Sequence, residues 1–145
     1  MPVRDLANNQ MSFQTGVVLD NTPIFKSFGG VVREANASYA GQRVDVEFWT
    51  GHPKNNLRQN GTFLEVQRWD GAAWRTVAND GDWNTIYRWI RVDPVWGTSK
   101  AAISWDIPAN AATGQYRIRH YGDYKNGWDG SIRGLTGTSR TFQVN

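Results

Sequence analysis

The residues best suited to chemistry form a short acidic run, Asn79-Asp80-Gly81-Asp82-Trp83-Asn84-Thr85. Hard cations such as calcium and magnesium take several oxygen ligands that converge from a tightly curved segment. Asp80 and Asp82 stand at i and i+2, Gly81 permits the turn, and Thr85 adds a hydroxyl or carbonyl oxygen. The run is not an EF-hand, because the glycine at the sixth loop position and the glutamate at the twelfth are missing. Three ligands are few for a tight site, and an Asp-Gly-Asp step between strands is also an ordinary solvated turn. Both readings stay open on the residues alone.

Other chemistries find less support. Catalytic zinc needs about three His or carboxylate ligands around an open position. The chain has 2 histidines, His52 in a loop beside Gly51 and Pro53, and His120 on a strand. Each reads as a surface or hydrogen-bonded histidine. No Gly-x-Ser-x-Gly elbow is present, and Ser139 after Gly137-Thr138 reads as a turn before a strand. The carboxylates are too dispersed to name an acid–base pair. With 0 cysteines there is no disulfide, thiolate site or cysteine nucleophile. Asn36-Ala37-Ser38 and Asn60-Gly61-Thr62 match the glycosylation sequon, which matters only in a eukaryotic secretory setting.

The 16 basic and 13 acidic residues leave a net charge of +3 over 145 residues. The arginines (Arg43, Arg58, Arg68, Arg75, Arg88, Arg91) are scattered singly, so no nucleic-acid partner is expected. The 8 tryptophans are the compositional signal. Such large flat side chains go into a core or a binding face. Trp49, Trp74 or Trp128 could stack on sugar rings. Trp83, Trp89, Trp96 and Trp128 could meet an interdomain surface or a lipid interface, where Trp is favoured. Trp89 sits mid-strand and reads as core; Trp128, in a Gly-rich loop, is the candidate for a lipid-facing side chain.

The elements that position these residues are strands. Val44-Asp45-Val46-Glu47-Phe48-Trp49 and Tyr116-Arg117-Ile118-Arg119-His120-Tyr121 alternate apolar and polar, as half-buried strands do. Residues 63–69, the turn at Asp70-Gly71 and residues 74–77 read as a hairpin. Residues 86–92, 102–107 and 141–144 are further strands, with short edge strands at residues 17–19 and Val31-Val32. No helical stripe appears, and residues 110–113 could make one turn at most. Gly114-Gln115-Tyr116 sits before a strand as a tyrosine corner would. The expected architecture is an all-β, immunoglobulin-like β-sandwich of two antiparallel sheets, with about seven to nine strands. Residues 1–14 read as a lead-in or linker remnant and 15–145 as one domain. Residues 1–14 have no apolar run of signal-peptide length, and no stretch of about 18 apolar residues could span a membrane.

Several segments, in order, resemble the C-terminal domain of neutral/alkaline non-lysosomal ceramidases. They are Gly51-His52-Pro53-Lys54-Asn55-Asn56-Leu57-Arg58 with Thr62-Phe63-Leu64-Glu65-Val66, then Asp80-Gly81-Asp82-Trp83-Asn84-Thr85, then Trp105-Asp106-Ile107-Pro108 after Gly97-Thr98-Ser99. Gly114-x-Tyr116-Arg117-Ile118-Arg119-His120-Tyr121 and Gly137-Thr138-Ser139-x-x-Phe142-x-Val144 complete the set. His52 and Lys54 depart from the commoner Asn and Arg of that family. The resemblance implies a non-catalytic, immunoglobulin-like accessory domain of a secreted or cell-surface enzyme that cleaves the amide bond of ceramide. Its zinc would lie in an upstream catalytic domain that this chain does not contain. The resemblance further implies an interdomain calcium or magnesium site with Asp80, Asp82 and Thr85 as ligands, incomplete without that partner in cis. Asn55, Asn56 and Trp83 would touch the partner, and Trp128 could meet a membrane surface. The competing expectation is a free-standing Trp-rich module that binds carbohydrate or a lipid surface.

Overall fold

The computed structural model describes residues 19–36, 40–53 and 62–145. Nine strands follow one another in these residues: β1 (Val31–Arg33), β2 (Arg43–Thr50), β3 (Leu64–Trp69), β4 (Trp74–Asn79), β5 (Thr85–Asp93), β6 (Thr98–Asp106), β7 (Gly114–Lys125), β8 (Ile132–Thr138) and β9 (Phe142–Val144). One sheet has the order β1-β2-β6-β5; the other runs β4-β3-β7-β8, with β9 also on β7. All these pairings are antiparallel. This is the strand order of an immunoglobulin-type sandwich, in which the fourth strand belongs to the second sheet.

The period of two decides which side chains enter the core. In β2 the inward set is Val44, Val46 and Phe48; in β3, Leu64 and Val66; in β6, Ile103 and Trp105; in β7, Tyr116 and Ile118. Phe142 and Val144 of β9 close the same core. Trp105, Tyr116 and Phe142 form an aromatic cluster, with ring centroids 5.2 Å apart for the first two. The tyrosine corner is present: the Tyr116 hydroxyl donates to the Ala112 carbonyl at 2.5 Å. Burial pushes the Tyr116 phenol up from its ordinary pKa, and the neighbouring Arg68 opposes that shift.

The strand at residues 132–138 was not legible in the pattern. Its sequence, Ile-Arg-Gly-Leu-Thr-Gly-Thr, carries two glycines that mask the alternation, yet it pairs with β7 from Arg119↔Thr138 to Lys125↔Ile132. Gly137 is required there, because a Cβ would stand 2.5 Å from both the Gly29 carbonyl oxygen and the Phe48 ring. Ser139 marks the step from β8 to β9. Its hydroxyl accepts from the Ile118 amide and donates to the Arg140 carbonyl, a structural use of the hydroxyl. Of the expected edge strands, Val31-Val32 lies in β1. Val17 and Val18 lie outside the described residues, and Leu19 is in no strand.

Candidate functional site

The acidic run is the crossover from one sheet to the other, between the end of β4 and the start of β5. Its curvature comes from its own polar atoms. The Asp82 carboxylate accepts from the Asn79 amide at 2.8 Å, and the Asn79 side-chain oxygen accepts from the Gly81 amide at 2.9 Å. The Thr85 hydroxyl lies 2.8 and 2.9 Å from the carbonyls of Asn79 and Asp82, to which it donates. Asp80 points the other way. It accepts from the Thr62 hydroxyl at 2.8 Å and the Phe63 amide at 2.9 Å, which ties the crossover to the lead into β3. Such side-chain-to-backbone bonds fix a turn without any ion.

The residue types are those a hard cation takes as ligands. An ionised carboxylate offers roughly four lone-pair directions, so the bonds described leave acceptor capacity on Asp80 and Asp82. The donated proton of Thr85 leaves its oxygen lone pairs available. Among the described residues no group of three or more His, Asp or Glu stands together at metal-binding distance. Asp80 bonds toward residues 62–63, while Asp82 and Thr85 bond within the turn. Trp83, between Asp82 and Thr85 in the chain, is 87% exposed. Asn55 and Asn56 lie outside the described residues.

The histidines have other partners. His120 is fully buried: Nε2 is 2.9 Å from the Thr50 hydroxyl, and Nδ1 is 2.9 Å from the Phe63 carbonyl. It also packs against Phe48 and Tyr87. It is a core group that joins β2, β7 and the lead into β3. His52 stands edge-on to Trp89 at 4.7 Å, while its backbone amide donates to Asp20. Trp89, expected in the core, is half-buried on the inward side, with the Arg91 guanidinium 5.3 Å from its ring.

Trp49, Trp74 and Trp128 stand on different elements. Trp49 belongs to one sheet, Trp74 to the other, and Trp128 to the β7–β8 loop, so they share no face. Trp74 is covered by Arg117 at 4.3 Å and tilted 59° against Trp69. Trp128 is 98% exposed. It shares one end of the sandwich with Ile24, Phe25, Val95 and Trp96, all exposed. The loop holding Ile24 and Phe25 is joined to the β5–β6 turn through Asn21, whose amide donates to Gly97, and Asp20 bonds the end of β7.

The sequence carries no motif for a cleft that opens beside the crossover. It has a volume of about 320 Å³, and its lining includes Arg68, Asp82, Trp83, Trp105, Ala111 and Tyr116. One signal was available: Arg68 continues the inward alternation Leu64, Val66, where an apolar residue would be ordinary.

A two-sheet sandwich with a tyrosine corner, and with its polar loop at a sheet crossover, defines an immunoglobulin-type domain by fold. The chain belongs to the family described as neutral/alkaline non-lysosomal ceramidase, C-terminal, whose profile matches residues 2–144. It is 51% identical over 144 residues to the neutral ceramidase of Pseudomonas aeruginosa, covering 97% of this chain and 21% of that protein. It is 42% identical over 119 residues to the neutral ceramidase of Mycobacterium tuberculosis, covering 81% of this chain and 18% of the relative. The crystal structure of the Pseudomonas aeruginosa neutral ceramidase superposes with a TM-score of 0.84 at 46% identity, over 100% of this chain and 23% of that one. The chain thus spans about a fifth of the length of these relatives.

Proposed function

We propose that this domain is the non-catalytic C-terminal accessory part of a neutral ceramidase, which hydrolyses the amide bond of ceramide to sphingosine and a fatty acid. In this reading it packs on an upstream zinc domain in cis, stabilises it, and acts in a secreted or cell-surface protein. The observation that carries the docking surface is the β4–β5 crossover. It presents a fully formed turn with two carboxylates, a threonine oxygen and an 87% exposed tryptophan, Trp83, on its outside. A calcium or magnesium ion would be held by Asp80, Asp82 and Thr85 together with oxygens of the partner domain. When bound, the ion would supply charge neutralisation at the joint rather than catalysis. The residues of this chain hold the turn, present Trp83 to the partner and keep both carboxylates on one loop.

The test uses the longer polypeptide that carries this domain. Asp80→Asn with Asp82→Asn should abolish the stabilisation that added calcium gives to thermal unfolding, while the 145-residue chain shows no calcium response of its own. Calcium stabilisation that survives the double substitution would defeat the assignment.

A second reading rests on the opposite end. Phe25 is fully exposed and has a φ of 66°, a left-handed conformation that is unfavourable for a bulky residue. With Ile24, Trp96 and Trp128 it places exposed apolar side chains on three neighbouring loops, as a contact with a lipid interface would require. Co-sedimentation with phosphatidylcholine vesicles tests it. Unchanged binding after Trp128→Ser and Phe25→Ser would remove it.

A further inference from the structure

The cleft beside the crossover contains a charge without a counter-charge. Arg68 occupies an inward position of β3 at the mouth of the sandwich, paired in register with Tyr116. Its Nη2 donates to the Thr113 carbonyl at 2.7 Å, but its buried Nε has no hydrogen-bond partner among the described residues. The guanidinium forms no ion pair among the described residues. Trp105, which also lines the cleft, is 2% exposed, and its Nε1 has no hydrogen-bond partner either. Buried donors are nearly always satisfied, and leaving one unmet is unfavourable by about 1–3 kcal/mol. Two such donors at one cleft, one of them part of a cation, call for an acceptor with negative charge.

The opposite mouth of the sandwich shows what a matched arrangement looks like. Arg91 also lies on an inward position, opposite Ser99 in β6, and donates to the Ser99 hydroxyl at 3.0 Å. Burial lowers its pKa, and the carboxylates of Asp20 and Asp93 oppose that shift. Among the described residues no carboxylate forms an ion pair with Arg68. Asp82, the acid in the cleft lining, spends one oxygen on the Asn79 amide and makes no ion pair with it.

We propose that this cleft is a socket for a carboxylate side chain presented by the upstream part of the same longer polypeptide. The proposal rests on the docking reading above. The rim of the cleft is the crossover itself, with Asp82 and the exposed Trp83. In the relatives, of which this chain covers about a fifth, the matching C-terminal domain has the remainder of the polypeptide upstream of it. At about 320 Å³ the cleft lies at the small end of ligand pockets, which run roughly 300–1,000 Å³, and it suits a single inserted side chain. The socket borders the proposed cation site at Asp82, but its own N–H donors and guanidinium suit an anion rather than a metal ion. It supplies the bidentate, charge-assisted kind of bond that gives an interface specificity.

The experiment has two arms. In the 145-residue chain, the indole N–H resonance of Trp105, assigned through Trp105→Phe, is followed during titration with propionate and with its neutral isostere propionamide. Propionate should move it saturably and propionamide should not, and Arg68→Gln should remove the response. In the longer polypeptide, proteolytic separation of the two domains is timed. Arg68→Gln should accelerate it by about tenfold or more, the loss of one charged hydrogen bond, and Arg68→Lys should restore part of the protection. A flat titration overturns the socket. A saturable titration with an unchanged junction in Arg68→Gln overturns the upstream source. Trp83→Ala reports on docking separately: if it loosens the junction while the titration is flat, docking stands and the socket falls.

Discussion

The two ends of the sandwich place an arginine on the inward alternation, and they treat it differently. At the end that holds residues 19–22, 51–53 and 93–98, the chain closes over Arg91 with its own groups. Asp20 is 4% exposed and accepts from the backbone amides of His52 and Lys125, at 2.8 and 2.7 Å. Gly51 and Gly97 allow the close approach, since a Cβ on them would stand 2.3 Å from the Asp123 carbonyl oxygen and 2.5 Å from that of Leu19. At the other end Arg68 has aromatic neighbours and a carbonyl, and it forms no ion pair among the described residues. The difference lies in the charge: Arg91 has carboxylates beside it, whereas Arg68 forms no ion pair among the described residues.

The largest expected effect is at the closed end. Asp20→Ala removes two backbone acceptor contacts and the carboxylate that opposes the burial of Arg91. It should destabilise the chain by roughly 3 kcal/mol or more, read as a lower urea midpoint at unchanged slope. A change below about 1 kcal/mol would show that the end is held by packing alone.

Between the two ends lies Tyr87, where burial alone pushes the phenol up to about 12. The folded pKa is above the unfolded one, so the stabilisation is complete below about pH 10, the unfolded value, and is lost as pH rises towards about 12. The loss should reach roughly 2–3 kcal/mol and should vanish in Tyr87→Phe, as followed by tyrosinate absorbance during alkaline unfolding.

A direct comparison of the arginines gives a smaller effect with a sign difference. In the 145-residue chain, Arg91→Met strands Asp20 and should destabilise by about 1–2 kcal/mol, whereas Arg68→Met removes an unmatched charge and should be neutral or slightly stabilising. Equal losses at both sites would erase the asymmetry. The smallest effect is expected at the rim. Trp83→Ala should change the stability of the isolated domain by less than about 0.5 kcal/mol, because an exposed side chain has little packing to lose.

Much of the fold was legible because alternation is a local signal. Val44, Val46 and Phe48 announced β2, and Asp70-Gly71 announced the hairpin, where the Asp70 carboxylate indeed accepts from the amides of Ala72 and Ala73. Gly114-Gln115-Tyr116 announced the tyrosine corner. β8 was not legible, because Gly137 serves a contact with Gly29 and Phe48 that no local pattern records. Of the candidate site, the residue types of Asp80, Asp82 and Thr85 were readable. Their mutual arrangement follows from bonds to Asn79, Thr62 and Phe63.

The amino-acid sequence by itself determined the strand content, the inward faces, the lack of cysteine chemistry and the family. These depend on residue type and on a period of two, which are properties of neighbours along the chain. Only the tertiary structure decided that His120 is a core hydrogen-bonding group and that Trp49, Trp74 and Trp128 share no face. It also decided that Asp20 completes one end while Arg68 waits at the other. Those outcomes depend on which residues meet across two sheets, and burial of a donor or a charge acquires its energetic meaning only once the facing strand is in place.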